Sequence, residues 1–272
     1  MDMLTSRTKA SILDLYKYRF VIKQFTIRDI KVRYSNTYLG YLWAILNPLF
    51  TFIIYIIAFG LIIKIPTSEY NTDYYIVLLC GIFIWSYFNQ ATDTISSVLI
   101  HNITLLNKVY FPRMTLNLAA LSVSSVDFII STIVLIILFL CIDMFHDTNL
   151  LRLMFIPLLY VGISTLSLGI GSILAILKMK YKDFRHLVPM IFQALFFISP
   201  IVYTPSLVSK DFIFLYNLNP FVGYLEFSRW IFIHDAHLDI LHIIYSLLVS
   251  IVISILGLYF FNQNERAVVE KI

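Results

Sequence analysis

Six long apolar stretches joined by short polar segments dominate the chain, at about 41–63, 74–97, 115–141, 151–177, 187–203 and 238–261. Each approaches the roughly 20 mainly apolar residues needed to cross about 30 Å of hydrocarbon. Backbone in lipid must satisfy its own hydrogen bonds, which leaves helices or closed barrels. Strand-type alternation is too weak for a barrel, so the pattern predicts an all-α membrane protein with six transmembrane helices. Composition agrees, because 60% of the 272 residues are hydrophobic and only 13% are charged, too few for an ordinary water-facing surface.

Basic residues set the orientation, since positive charge is retained on the cytoplasmic side of a membrane. With both termini cytoplasmic, the inside segments hold Arg7, Lys9, Lys17, Arg19, Lys23, Arg28, Lys31 and Arg33. They also hold Lys108 and Arg113, then Lys178, Lys180, Lys182 and Arg185, then Arg266 and Lys271. Lys64, Arg152, Lys210 and Arg229 are left for outer loops and span ends. Residues 1–40 lack a compact apolar core followed by a small-residue cleavage site, so they are expected to be retained. Cys80 and Cys141 lie in or beside apolar runs and read as buried small hydrophobes, not as a disulfide or metal framework.

Between residues 15 and 34, Tyr18, Ile22 and Phe25 recur at helical spacing, as do Ile27, Ile30 and Tyr34, with Lys17, Lys23, Arg28 and Lys31 elsewhere. This predicts an amphipathic helix lying in the cytoplasmic interface, either a topogenic anchor or part of a docking surface. Three segments follow: 1–40 as the cytoplasmic amphipathic interface segment, 41–261 as the transmembrane domain and 262–272 as a cytoplasmic tail. Residues 204–237, with Pro205, Pro220 and Trp230, are too irregular for a span and read as short re-entrant outer helices between spans five and six.

No Gly-x-x-x-x-Gly-Lys-Ser/Thr phosphate cradle occurs in the sequence. The small residues Gly162, Ser164, Ser167, Gly169 and Gly171 point instead to close helix packing in lipid. A chain without its own energy source needs a partner, and residues 98–114 form a short amphipathic joint suited to a cleft on a soluble ATPase.

Several short blocks share one family order. They are Arg28-Asp29, Lys31, Arg33-Tyr34, Leu39-Gly40, Trp43 and Asn47-Pro48, then Asn107-Lys108-Val109-Tyr110-Phe111-Pro112, then Tyr181-Lys182-Asp183-Phe184. Ser199-Pro200-Ile201-Val202-Tyr203 and Tyr216-Asn217-Leu218-Asn219-Pro220 complete the series. Together they resemble ABC-2 type permeases of polysaccharide exporters, over nearly the whole chain. The resemblance implies a homodimer of six-span subunits in the bacterial cytoplasmic (inner) membrane, paired with a separate nucleotide-binding ATPase subunit. ATP and magnesium would be bound by that subunit, with no cofactor in this chain and no nucleic acid as partner. The cargo it implies is an O-antigen, capsule or teichoic acid glycan on an undecaprenyl diphosphate-type carrier. Where the family most often has Arg-Asp after the fourth span, this chain has Lys182-Asp183, which loses the bidentate fork of arginine.

Under this reading Arg28, Lys31, Arg33 and Tyr34 face the head group at the interface. Asn107, Lys108, Tyr110, Arg113, Lys182 and Asp183 couple to the ATPase. Phe52, Tyr55 and Phe59 in the first span and Phe192 and Phe196 in the fifth share helical faces. Sugars present apolar C–H faces, so these rings could line a sliding path; they could equally be packing or lipid-facing rings.

Charged residues inside spans are costly and therefore functional candidates. Asp127 and Asp93 lie in the third and second spans, and Glu226 precedes the sixth. Asp127 reads first as a hydrogen-bonded contact near Ser122, Ser124 and Ser125, and second as the titrating group of a proton-coupled carrier. His234, His237 and His242 follow no trusted metal spacing and read as loop residues. Three functions stay open: a glycan exporter's permease, a permease of the same fold for a drug or lipid, and a secondary carrier or membrane glycosyl- or acyltransferase.

Overall fold

A computed structural model describes residues 16–35, 38–67, 69–106, 108–109, 111–141 and 150–269. The described residues form helices and joints, with no strand among them. In chain order the helices are α1 (Arg19–Ser35), α2 (Trp43–Tyr55, continuing as a π-helix over Ile56–Ile62), α3 (Tyr74–His101), α4 (Ile103–Leu106) and α5 (Met114–Cys141). Then come α6 (Ile156–Lys180), α7 (Phe184–Ile198), α8 (Ile213–Leu218), α9 (Pro220–Phe232) and α10 (Ile240–Val269).

Among the described residues, five segments are long and apolar enough to cross a membrane: Ile45–Ile62, Tyr74–His101, Met114–Leu140, Leu151–Lys180 and Ile240–Glu265. The chain is a multi-pass membrane protein. The stretch expected as the fifth of six spans is α7, which has only 15 residues. At 1.5 Å per residue it reaches about 22 Å, short of the hydrocarbon thickness. Ser199-Pro200 ends it, because the residue before a proline is driven from helical to extended backbone; Ser199 sits at ψ 142°.

The 28-residue α3 is the axis of the bundle, with 78% of its most apolar window buried inside the chain. It packs against α5, α6, α9 and α2, while α6 lies between α3 and α10. Glycine permits that last contact. A Cβ on Gly257 of α10 would sit 2.2 Å from the carbonyl oxygen of Gly169 on α6, so the two backbones touch where neither has a side chain. Gly162 receives the Tyr224 ring and Gly171 receives Ile95 in the same manner. The expected small-residue packing stripe thus has a physical use on two sides of α6.

The segment 204–237 is built of short helices, as expected. One of them, α9, runs into the bundle against α3, α6 and α10 and buries Arg229 completely. Nη2 of Arg229 donates to the carbonyls of Pro200 and, at 3.1 Å, Tyr203. Helix α1 packs along α5 and turns Tyr18, Ile22, Phe25 and Arg33 inward, while Lys23 and Lys31 stay exposed. Ile27, expected on an apolar face, is exposed as well. None of the most apolar window of α2 is buried within the chain.

Candidate functional site

One face of α3 carries a polar stripe through an otherwise apolar helix: Ser86, Asn89, Gln90, Asp93, Thr94, Ser97 and His101. These positions fall at i, i+3, i+4, i+7, i+8, i+11 and i+15, which is one side of a 3.6-residue helix. Two cavities open along this stripe.

The first, of about 510 Å³, lies between α2, α3 and α7. Tyr55, Trp85, Phe192 and Phe196 give it aromatic walls, and Asn89, Gln90 and Gln193 add amides. The ring centroids of Tyr55 and Phe196 are 4.9 Å apart, and Trp85 meets Phe196 edge-on at 5.6 Å. Of the five rings expected on a path, Tyr55, Phe192 and Phe196 line this cavity. Phe52 and Phe59 pack against the core beside it instead.

The second cavity, of about 700 Å³, lies between α1, α3 and α5 and reaches α4 and Lys108. Arg28, Arg33, His101 and Lys108 line it together with Asp29 and Asp93. Asp93 lines both cavities and so marks their junction. Its carboxylate accepts a hydrogen bond from Lys178 Nζ at 2.8 Å, and the same ammonium donates to Ser96 Oγ at 2.7 Å and Ser97 Oγ at 3.2 Å. Lys178 is 4% exposed and Asp93 64%, so the cation is hidden behind the carboxylate it holds.

The basic run of α1 is less free than its sequence indicates. Arg33 Nη1 donates to Asp127 Oδ2 at 2.6 Å, and Nη2 donates to Thr94 Oγ1 at 3.2 Å. Gln90 Nε2 donates to the same Asp127 oxygen. Asp127 is therefore a bundle contact, as expected, but with α1 and α3. Ser122, Ser124 and Ser125 each bond to carbonyls of their own helix. Arg28 Nη2 donates to Asn102 Oδ1 at 2.7 Å, its guanidinium lies 2.7 Å from Asp29 Oδ1, and it rests over Phe25. Lys31 is exposed, and the side chain of Tyr34 lies outside the described residues.

Among the residues expected to couple to an ATPase, Asn107 and Tyr110 lie outside the described residues. Lys108 is exposed at the rim of the basic cavity. Arg113 donates to the carbonyl of Glu265 at 2.6 Å, tying the joint before α5 to the far end of α10. Lys182 and Asp183 are exposed in the tight turn between α6 and α7. Two of the three candidate histidines take carboxylate partners: His234 faces Asp235 and His242 faces Glu226, each at 3.1 Å. Asp235 lies outside the spans, and its carboxyl is held below the usual range by hydrogen bonds from His234 and then Asn71.

Residues 21–233 match the family described as ABC-2 type transporter. The chain belongs to the ABC-2 type transporter family. It is 28% identical over 241 residues to the O-antigen export system permease protein RfbA of Klebsiella pneumoniae, covering 88% of this chain and 89% of that protein. It is 24% identical over 225 residues to the RfbA protein of Myxococcus xanthus, covering 81% and 83%. The polysialic acid transport protein KpsM of Escherichia coli is 24% identical over 250 residues, covering 92% and 95%. The family match thus spans the lining residues of both cavities.

Sequence reasoning missed Trp85, Asn89, Gln90, Gln193 and Lys178 as site residues. The stripe on α3 was the available signal, because polar residues recurring on one side of an apolar helix must face protein or a cavity.

Proposed function

We propose that this chain is the membrane-spanning permease subunit of an ATP-driven exporter that moves a lipid-linked polysaccharide across the bacterial cytoplasmic membrane. Its relatives are named for O-antigen export and polysialic acid transport. The observation that carries the reading is the meeting of two chemically different cavities at Asp93. A basic cavity suits the phosphates of a lipid-linked head group, through charge-assisted hydrogen bonds from Arg28 and Lys108. An aromatic and amide-lined cavity suits sugar, whose C–H faces stack on rings and whose hydroxyls bond to amides.

The basic end faces the cytoplasm by the distribution of Lys and Arg, so both termini are inside and α1 lies at the inner interface. Short α7 crosses with the turn at Ser199-Pro200 and with α8 and α9, which makes a sixth, interrupted passage dipping from the outer side. The bare apolar faces of α2 and α7 flank the aromatic cavity, and a second copy of the chain closes it there. A separate ATP-binding subunit, which holds ATP and magnesium, acts on Lys108, Arg113, Lys182 and Asp183.

ATPase activity of the purified chain should be measured alone and with the ATP-binding subunit, each with and without a diphosphate lipid-linked glycan. Hydrolysis only in the complex, stimulated by the glycan lipid, is the expected result. A chain that moves substrate alone without nucleotide would return the secondary carrier to first place.

A further inference from the structure

We infer that the polymer passed by this permease is uncharged along its length, and that Asp93 sets the preference; the inference rests on the export reading above. The aromatic cavity contains no lysine, arginine or histidine among its described lining residues, and its one formal charge is the carboxylate of Asp93. Rings and amides solvate a neutral sugar well. They leave an anionic sugar without a counter-charge, which is costly wherever the polymer gives up water to the rings.

The arrangement of Asp93 sharpens this. Lys178 is the cation that neutralises it, yet the ammonium is buried behind the carboxylate and shared with Ser96 and Ser97. What faces the junction is the negative end of the pair, with 64% of the Asp93 side chain exposed. A buried lysine is expensive unless fully paired, and here its three donors have three acceptors that fix the carboxylate toward the cavity. Among the described lining residues of the two cavities, arginine and lysine occur only in the neighbouring one, at Arg28, Arg33 and Lys108, with Asp29 beside them. Phosphate is therefore held on the basic side of Asp93, while neutral sugar passes it. Exposed apolar side chains flank the aromatic cavity, among them Ile53 and Ile54 on α2 and Met190 and Phe197 on α7.

The complex with its ATP-binding subunit is reconstituted in liposomes with two diphosphate lipid-linked glycans of equal length. One has hexose repeats and the other a carboxylate on every repeat. The neutral polymer should move at least about tenfold faster, the size of one like-charge contact at partly screened range. Asp93→Asn should narrow that ratio, and Gln193→Lys, at an exposed position on α7, should narrow it independently if the first variant does not fold. Equal or faster transport of the carboxylate polymer by the unaltered protein overturns the inference and leaves the export reading standing. Movement of neither polymer overturns the export reading itself, and this inference with it.

Discussion

Arg33 and Asp127, 94 positions apart, form the ion pair that fastens α1 to the middle of the third span, with 2.6 Å between Nη1 and Oδ2. The carboxylate is 6% exposed and the guanidinium 29%. An arginine from α1 thus reaches into the bundle to neutralise an acid that lipid and protein would otherwise reject. Because Gln90 shares the same carboxylate oxygen, the pair also joins α1 and α5 to the polar stripe of α3.

Removing one partner should therefore harm more than removing both. Arg33→Met leaves Asp127 with one cation fewer in a buried site, at a cost of about 3 kcal/mol, the lower end for broken buried pairs because Arg33 is partly solvated. Arg33→Met combined with Asp127→Leu should recover most of that loss. Thermal unfolding of the detergent-solubilised variants measures both, and additive losses would show that the pair is not coupled.

The contact of Gly169 with Gly257 makes a second prediction. Gly257→Ala places a methyl group 2.2 Å from a backbone oxygen, which can relax only if α6 and α10 separate. The expected loss is about 3 kcal/mol, the upper end for over-packing. Gly40 is the contrasting case: its φ is +50° and nothing lies within 4 Å of an added Cβ. Gly40→Ala should cost only the left-handed backbone penalty of about 1 kcal/mol. Similar melting temperatures for the two variants would contradict the close approach.

In the joint before α3, Tyr70 is buried beside Arg229. Burial pushes the Tyr70 hydroxyl above its ordinary 10.0, and the nearby Arg229 charge opposes the rise. The folded state therefore holds this proton more tightly than the unfolded chain. That contribution is complete below about pH 10 and is lost as pH climbs through the raised value. Stability measured between pH 8 and 11 should fall less steeply in Tyr70→Phe than in the unaltered protein. An identical slope would mean that the hydroxyl is not desolvated.

Where charge and packing act locally, the sequence was readable. Five apolar runs became five span-length helices because lipid admits no other structure for them. The fifth expected span was misjudged in length because hydropathy continues through Ser199-Pro200 to Tyr203 while the helix cannot. The contacts of Arg33 and Arg28 were not legible, since a basic run reads as a solvated face until the rotation of α1 against α5 is known. From sequence Asp93 reads as a charge in a span, but its partner Lys178 lies 85 positions away and reads as part of a basic segment after the fourth span. Shared helical faces point to Tyr55, Phe192 and Phe196, which line one cavity. The same pattern also selected Phe52 and Phe59, because periodicity gives a face and not its neighbour.

That difference among the rings can be tested directly. Tyr55→Leu and Phe196→Leu keep apolar bulk but remove two facing rings, 4.9 Å apart, from the cavity wall. If sugar slides over these faces, each should slow export by about threefold to tenfold, the equivalent of one lost stacking contact. Phe59→Leu removes a ring that stacks on Tyr55 at 5.8 Å but lies outside the described lining, and export should stay near the unaltered rate. Surface polymer is scored at matched protein level. An equal loss from all three variants would move the effect from the sugar path to the packing of α2. Loss from Phe59→Leu alone would place the path on the other side of that helix.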